Sequence, residues 1–161
     1  MRIDGSITLR PVASEDDSLL YQIYASTRFD ELAPIGWSTE QQEAFLRMQF
    51  NAQHQCYHQQ FADADYDIIL RDSAPAGRLY VNRRTDEIRI VDISLLPEYR
   101  NLGIGSSLLI DLIAEAHAAE KPLRIHVEQF NPALRLYQRL GFVKIADDPV
   151  YFEMELIRSV D

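Results

Sequence analysis

Hydrophobic and polar residues alternate along three stretches in the middle of the chain, residues 66–71, 77–83 and 87–95. A period of two residues places successive side chains on opposite faces of a strand, so each stretch is predicted to be a β-strand. Residues 72–76 and 84–86 carry the small and polar side chains that are typical of turns. The centre of the chain is therefore predicted to form three successive strands.

Apolar residues three or four positions apart predict two helices before these strands. Acidic residues at 15–17 open the first helix, because a negative charge suits a helix N-terminus. A capping box between Ser38 and Gln41 opens the second, which is expected to extend to about residue 60. The segment 28–37 between the two helices is predicted to be a loop. The inner stripe of the second helix is predicted to consist of Phe45, Met48, Ala52 and Cys56.

Two more helices are predicted in the last third of the chain. Residues 103–119 carry apolar side chains at helical spacing. Asn131 followed by Pro132 is typical of a helix start, and Gly141 is the expected end of that helix. The remaining strands are predicted at residues 7–12, 123–128, 142–145 and 150–156. The order β-α-α-β-β-β-α-β-α-β-β indicates an α/β fold, of α+β type, with a mixed sheet.

The bulk composition indicates one globular domain. The chain has 161 residues and neither an internal repeat nor a linker, so residues 1–161 are predicted to form a single domain. A formal net charge of −9 disfavours nucleic-acid and membrane partners, which attract basic surfaces. The N-terminus lacks the apolar core of a signal peptide, and no apolar run is long enough to cross a bilayer. A cytoplasmic protein is therefore predicted, and its single cysteine, Cys56, excludes an internal disulfide.

A glycine-containing segment, residues 100–106, lies between the third central strand and the following helix. Free amides at a helix N-terminus favour an anion, and Gly103 and Gly105 lack the Cβ atoms that would keep a phosphate at a distance. Arg100 adds a positive charge and Ser106 a hydroxyl group. The segment is predicted to bind a pyrophosphate, although a helix whose first turn merely tolerates two glycines has the same local pattern.

Two common nucleotide motifs do not fit this segment. A Walker-type loop needs Gly-Lys-Ser or Gly-Lys-Thr, whereas Ser106 follows Gly105 directly. The dinucleotide pattern G-x-G-x-x-G requires a third glycine where the chain has Leu108. Nucleotide hydrolysis and dinucleotide binding are therefore disfavoured.

Residues 93–105 resemble the R-x-x-G-x-G acetyl-CoA motif of the GNAT superfamily of N-acetyltransferases, including the strand before it. Residues 131–142 resemble the C-terminal motif of that superfamily, and the order of elements is also similar. The resemblance implies a GNAT-like acyl-CoA N-acyltransferase fold. It also implies transfer of an acetyl group from acetyl-CoA, as cosubstrate, to a primary amine of a small molecule or peptide by direct attack.

In the family, two parallel strands separate after a bulge and the pantetheine arm enters the gap. The amide near Leu95 would polarise the thioester carbonyl, and backbone groups of Ile93 and Leu95 would pair with the pantetheine. The residues that the resemblance assigns to the cofactor are Ile93, Leu95, Arg100, Asn101, Leu102, Gly103, Ile104, Gly105, Ser106 and Asn131.

Tyr137 corresponds to the general acid of the family, which protonates the departing thiolate. A phenol with a pKa near 10 can give a proton to a thiolate whose pKa is close to that of cysteine. A tyrosine in this place can instead simply pack a helix against the sheet. Both roles are open from the sequence alone.

The general base is less clearly indicated. Family members carry a Glu or His on the strand before the phosphate loop, where this chain has Arg89 and Val91, and Asp92 has the wrong alternation unless a bulge shifts it. Other members carry a glutamate on the next strand. When the chain is aligned on Asn131, that position is His126, whose imidazole can act as a base near neutral pH. When it is aligned on Tyr137, the position is Ile125.

The first two helices and their connection build the acceptor side in this family. Asp30, Glu31 and Trp37 are the predicted acceptor-binding residues, with Arg28 nearby, because acids attract a cationic amine and Trp37 can hold an apolar or cationic group by its ring face. A solvated loop with one anchoring Trp is the alternative. Dimers are frequent in the family, so a homodimer is an expected assembly.

Other functions compete with acetyl transfer. A non-catalytic acyl-CoA-binding regulatory module fits the absence of a strand acid at Arg89. An acetyltransferase acting on charged tRNA is disfavoured by the net charge. His54 and His58 share a helical face, but without a convincing third ligand no metal site is predicted.

Overall fold

A single seven-stranded sheet runs through the computed structural model, which describes residues 5–156. The strands are β1 (Ile7–Pro11), β2 (Asp65–Arg71), β3 (Ala74–Arg83), β4 (Ile88–Leu95), β5 (Leu123–Glu128), β6 (Phe142–Asp147) and β7 (Tyr151–Leu156). Their order across the sheet is β1-β2-β3-β4-β5-β7-β6. The β4–β5 pair is parallel and the other pairs are antiparallel. Residues 1–4, to which the signal-peptide prediction applies, lie outside the described part.

Five helices accompany the sheet in residues 5–156: α1 (Asp17–Ser26), α2 (Phe29–Leu32), α3 (Thr39–Gln60), α4 (Ile104–Ala119) and α5 (Leu134–Arg139). The predicted mixed α/β fold and the order of its main elements are confirmed. The prediction of a plain loop at 28–37 is wrong, because the segment contains α2 and a 3-10 turn at Ala33–Ile35. None of these helices is both long and apolar enough to cross a bilayer.

Hydrophobic clusters cover both faces of the sheet. One cluster lies between the sheet and α4 and α5; its buried members include Leu79, Ile88, Ile90, Ile104, Leu109, Ile125, Val127, Tyr137 and Phe142. The other lies between the sheet and α1 and α3; its buried members include Leu20, Tyr24, Leu46, Phe50, Ile68 and Tyr80. One face of the central strands is therefore covered by α4 and α5, and the other by α1 and α3. The face towards α1 and α3 is called here the acceptor face.

Helix α3 begins with the predicted capping box, since the Ser38 hydroxyl accepts from the Gln41 amide at 3.2 Å and the Gln41 side chain accepts from the Ser38 amide. Its predicted inner stripe is wrong at Met48, Ala52 and Cys56, whereas Phe45 does pack against the cluster under α1 and α3. Met48 is 59% exposed, Ala52 and Cys56 are exposed, and Phe45 is only partly buried. The inward residues are Leu46, Phe50, Gln53 and Tyr57. The pattern misled because this face of α3 becomes polar towards its C-terminal end.

Strand β4 contains one extra residue relative to β3. Tyr80 pairs with Asp92 and Val81 pairs with Ile90, so Val91 forms a β-bulge. Ile88 and Ile90 pack in the cluster under α4, whereas Val91 packs on the other cluster. The bulge therefore changes the alternation of the strand and brings Asp92 to the acceptor face.

The parallel strands β4 and β5 separate directly after this bulge. Their paired residues are Ile88 with Leu123, Arg89 with Arg124, and Ile90 with Ile125. Beyond Ile90, β4 continues to Leu95 paired only with β3, and β5 continues to Glu128 paired with β7. The result is a gap between two strands in the middle of the sheet, as the family resemblance implied.

Gly77 permits the close approach of β3 to the second half of β4. A Cβ atom at this position would lie 2.1 Å from the backbone oxygen of Ser94 and 3.0 Å from the Cα of Leu95. Backbone atoms cannot move aside as a flexible side chain can. The position of the β4 segment that borders the gap therefore depends on glycine here.

We expect Gly77→Ala to lower the free energy of unfolding by about 1–3 kcal/mol, because overpacking forces the backbone apart. Thermal unfolding followed by circular dichroism measures the change. Gly105→Ala is the matched control, since a Cβ there meets no atom within 4 Å. Equal unfolding midpoints for the two variants would contradict the prediction.

Candidate active site

The backbone of β4 presents polar groups to the gap. The amide of Leu96 donates to the carbonyl of Ala76 on β3 at 2.8 Å. Backbone groups alternate in direction along a strand, so the N–H and C=O groups of Leu95 and Ile93 point the other way, towards β5. These are the two residues predicted to pair with the pantetheine arm. An extended chain in the gap would find donors and acceptors there.

The chain enters α4 through two left-handed residues. Asn101 has φ 60° and Gly103 has φ 85°, and Leu102 between them is 41% exposed. The amide of Ser107 makes a helical bond to the Gly103 carbonyl at 3.0 Å, so the amides of the first turn, residues 104–106, precede the helical bonding pattern. Their partial positive charge forms a suitable seat for an anion.

Residues 101–106 are called here the cradle, and Arg100 joins the cradle to two other elements. Its Nε donates to the carbonyl of Leu95 at 2.9 Å, and its Nη2 lies 3.3 Å from the hydroxyl of Ser26 at the end of α1. The side chain is exposed, so the guanidinium lies at the rim between β4, α1 and the cradle. Its predicted contact with a phosphate stays a prediction.

Helix α5 begins later than predicted. Its first residue is Leu134, whereas the sequence suggested Asn131 as cap and Pro132 as first residue. Asn131 instead stabilises the preceding turn, because its Oδ1 accepts from the amide of Ala133 at 2.8 Å. The helix ends before Gly141, which has φ 106° as expected for a left-handed end. The predicted contact of Asn131 with pantetheine is untested.

Tyr137 lies on the inner face of α5, only 3% exposed. Its ring packs against Phe142 with the two centroids 5.9 Å apart. Burial raises the pKa of the hydroxyl above its ordinary value, and the negative charge of Asp92 raises it further. The phenol therefore stays protonated, as a general acid must, and it lies close enough to β4 to interact with a carboxylate there.

Asp92 is the centre of a hydrogen-bonded cluster on the acceptor face. Its Oδ2 accepts from the Tyr57 hydroxyl at 3.1 Å and from the Nη2 of Arg78 at 2.8 Å. Its Oδ1 accepts from the Ser94 hydroxyl at 2.7 Å and from the Nε of Arg78 at 3.3 Å. Arg78 also donates to Gln53 at 2.8 Å. The cluster joins β3, β4 and α3 beside the gap.

Arg78 is 3% exposed and its side chain contacts Tyr80, with the guanidinium carbon 5.0 Å from the ring centroid. Burial acts to lower the pKa of Arg78, but the charge of Asp92, its hydrogen bond to Arg78 and the nearby tyrosines together outweigh burial, so the pKa is raised overall. Burial and then the charge of Asp92 raise the pKa of Tyr57. The cluster is therefore a fixed ion pair with a neutral phenol beside it.

His126, the predicted base, lies on β5 with its side chain about half exposed. Its Nε2 is 3.9 Å from Asp148, and its ring is tilted over Tyr151 at a centroid distance of 4.5 Å. Ile125, which the other alignment selects, is buried in the α4 cluster on the opposite face. The imidazole is therefore the more accessible of the two candidates, and its role as base is untested.

The predicted acceptor-binding residues lie near the end of β5 or on the surface. Arg28 forms a two-point ion pair with Glu128, at 2.7 and 3.2 Å, and a longer one with Glu31 at 3.3 Å. Asp30 is exposed. Trp37 is 36% exposed and packs edge-on against Phe45 at 5.1 Å. The structure thus brings Glu31 to Arg28, whereas Trp37 belongs to the start of α3.

Arg89, at the place where a strand acid was expected, is part of a separate ion network. It donates to Glu87 at 2.6 Å and to Glu153 at 2.7 Å, and Arg124 also donates to Glu87 at 3.0 Å. These pairs lie where β4 and β5 are still joined. Arg89 is therefore held by carboxylates in the paired part of β4 and β5, before the gap begins.

The sequence contains a signal for the orientation of Asp92 that simple alternation misses. Buried or core-facing isoleucines occur at 88, 90 and 93, followed by Leu95, so the even positions change to odd ones within one strand. Such a change of phase requires an extra residue between 90 and 93. It predicts a bulge there and places Asp92 and Ser94 on the face opposite to the core isoleucines.

A family model described as an acetyltransferase (GNAT) domain matches residues 36–157. The matched region includes β4, the cradle, α4 and α5. The chain belongs to the GNAT acetyltransferase family, and it is therefore classed as an acyltransferase. Among curated proteins, a search gives no match.

Solved structures share the fold at low sequence identity. PaiA N-acetyltransferase from Thermoplasma acidophilum, in complex with coenzyme A, is 22% identical with a TM-score of 0.69, over 93% of this chain and 98% of its own. An acetyltransferase from Thermus thermophilus is 19% identical with a TM-score of 0.64, over 93% and 96%. A GNAT acetyltransferase from Elizabethkingia anophelis with acetyl-CoA bound is 17% identical with a TM-score of 0.60, over 93% and 97%.

Gly105→Ala separates the cradle from the fold. The Cβ would project into open space, and alanine favours a helix over glycine by up to about 1 kcal/mol, so stability should be kept or raised. Coenzyme A should bind at least about tenfold more weakly, or about 1.4 kcal/mol, because the methyl group blocks close approach of a phosphate to the amides. Calorimetry with coenzyme A measures this affinity. Asp111→Ala, on the exposed side of the same helix, is the control, and equal affinities of the two variants would count against the cradle.

Proposed function

We propose that this protein transfers the acetyl group of acetyl-CoA to a primary amine of a small molecule or peptide, by direct attack of the amine on the thioester. The observation that carries the proposal is the gap after Ile90 and Ile125, which opens next to the first turn of α4. One end of the gap suits a diphosphate, and its wall offers the backbone groups of Ile93 and the amide of Leu95 to an extended arm.

Acetyl-CoA as the cosubstrate is supported by the same geometry. The Thermoplasma relative was solved with coenzyme A and the Elizabethkingia relative with acetyl-CoA, and both share the fold. A pyrophosphate on the amides at 104–106 would place the pantetheine arm along Ile93 and Leu95. The thioester carbonyl would then meet the amide of Leu95, which can stabilise a developing oxyanion.

The chemistry needs an acid for the leaving group. As the amine nitrogen bonds to the carbonyl carbon, the carbon–sulfur bond breaks and sulfur receives a proton. Tyr137 is the proposed donor, because its raised pKa keeps the hydroxyl protonated and a thiolate with a pKa near 8.5 is a ready acceptor. Its near-complete burial inside the core cluster supports a fixed position for that proton.

A cationic amine is the proposed acceptor class. The acceptor face near the end of β5 carries the Tyr151 ring and the His126 imidazole beside the Arg28–Glu128 ion pair. Asp30 and Glu31 add negative charge at the rim, and aromatic rings attract cations. We propose that Glu31 and Asp30 attract the cationic amine and that Trp37 contacts a more distant part of the acceptor.

The alternative function, a non-catalytic acyl-CoA-binding module, depended on the missing strand acid at Arg89. Asp92, brought to the acceptor face by the bulge, supplies an acid on the same strand. This observation favours an enzyme over a binder. A screen of amines, amino acids, polyamines and peptides for release of free CoA separates the two, because a binder would show affinity without thiol release.

Tyr137→Phe should lower kcat by about 10²–10⁴-fold, the usual contribution of a general acid, while affinity for coenzyme A stays the same. Thiol release gives kcat and calorimetry gives the affinity. Because the buried ring is retained, the fold should be kept, and the unfolding midpoint serves as the control. A parallel loss of activity and affinity would indicate that Tyr137 only packs.

The pH profile follows from the direction of the shift. Since the pKa of Tyr137 is raised, its protonated form persists above the ordinary value of about 10. We therefore expect kcat to show no alkaline fall between about pH 7 and pH 10. An alkaline fall in that range that disappears in Tyr137→Phe would refute the assignment.

A further inference from the structure

Asp92 has no capacity left to receive the amine directly. A carboxylate offers about four lone-pair positions, two on each oxygen. All are occupied, because Tyr57 and Arg78 donate to Oδ2, and Ser94 and Arg78 donate to Oδ1. An incoming amine would have to displace one of these donors. The carboxylate is therefore placed to act through a neighbour.

Ser94 is the neighbour with free capacity towards the gap. Its hydroxyl proton is directed at Asp92, so the two lone pairs of its oxygen remain to accept a hydrogen bond. The residue is partly exposed on the acceptor face. It directly precedes Leu95, whose amide faces the gap. A group bonded to the Ser94 oxygen would thus lie beside the carbonyl that the Leu95 amide polarises.

We propose that Ser94 takes the proton of the attacking amine and passes its own hydroxyl proton to Asp92. This inference rests on the proposed acetyl transfer. The ammonium form of the acceptor first loses one proton to water. As the nitrogen–carbon bond of the neutral amine forms, an N–H proton moves to the Ser94 oxygen and the Ser94 proton moves to Oδ1 of Asp92. The carbon–sulfur bond then breaks, the electron pair stays on sulfur, and sulfur takes the proton of Tyr137.

The cycle closes without a further reactant. Asp92 has gained one proton and Tyr137 has lost one, so return of that proton, through water at the site, restores both groups. Arg78 stabilises the anionic form of Asp92, which favours this return. The negative charge of Asp92 raises the pKa of Tyr137, so the two groups lie within electrostatic range of one another. Tyr57 and Arg78 hold the carboxylate and act as positioning residues.

The test compares Ser94→Ala with Ser94→Thr, using acetyl-CoA and the best amine of the thiol-release screen. Ser94→Ala should lower kcat by about 10²-fold or more, the contribution expected of a general base. KM for acetyl-CoA and the unfolding midpoint should stay the same. Ser94→Thr keeps the hydroxyl group and should recover most of the lost activity. Asp92→Asn is a poorer probe, because it leaves the buried Arg78 without its charge partner.

Two comparisons decide between this relay and other roles. His126→Gln should keep activity far better than Ser94→Ala; the opposite ranking would overturn the proposal in favour of the imidazole. Ser94→Ala with unchanged kcat, or Ser94→Thr as inactive as Ser94→Ala, would also overturn it. These results presuppose wild-type turnover. Failure of the wild type with every amine would instead contradict the proposed function, since the relay is judged only relative to an active wild type.

Discussion

The bulge at Val91 is the constraint on which the site depends. One extra residue in β4 ends the pairing with β5 and turns Asp92 away from the core. Without it, the two parallel strands could continue side by side, and no gap would expose the backbone of Ile93 and Leu95. A bulge disrupts a few ladder hydrogen bonds and bends the strand, and here the lost pairing leaves donors and acceptors for an extended ligand.

The buried ion pair between Arg78 and Asp92 follows from the same shift of alternation. Isolated buried charges are strongly unfavourable, and removal of one partner of such a pair destabilises a protein by about 3–5 kcal/mol. Here Gln53, Tyr57 and Ser94 contribute further hydrogen bonds, so the polar atoms of the pair have additional partners from α3 and β4. The pair thereby fixes the C-terminal half of α3 against β4. It positions one wall of the gap as well as the carboxylate.

The sequence predicted the parts of the protein that periodicity and backbone constraints specify. The central strands, the capping box at Ser38 and the position of the glycine segment directly before α4 were correctly predicted, because each depends on local residue types. The inner face of α3 was not, since polar residues such as Gln53 face a buried arginine that only the tertiary fold brings there. The start of α5 was missed because the Asn131 side chain stabilises a turn instead of capping the helix.

Asp92 shows why the candidate base was harder to predict than the cradle. A phosphate cradle is made of consecutive residues, so Gly103 and Gly105 indicate it in the sequence. The base depends on which face of a strand a residue occupies, and a single bulge reverses that face. The acceptor side depends on yet more distant pairings, such as the ion pair of Arg28 with Glu128, which are 100 residues apart. The proposed cofactor contacts therefore come from one local segment, whereas the proposed proton transfer and acceptor contacts depend on how the sheet is assembled.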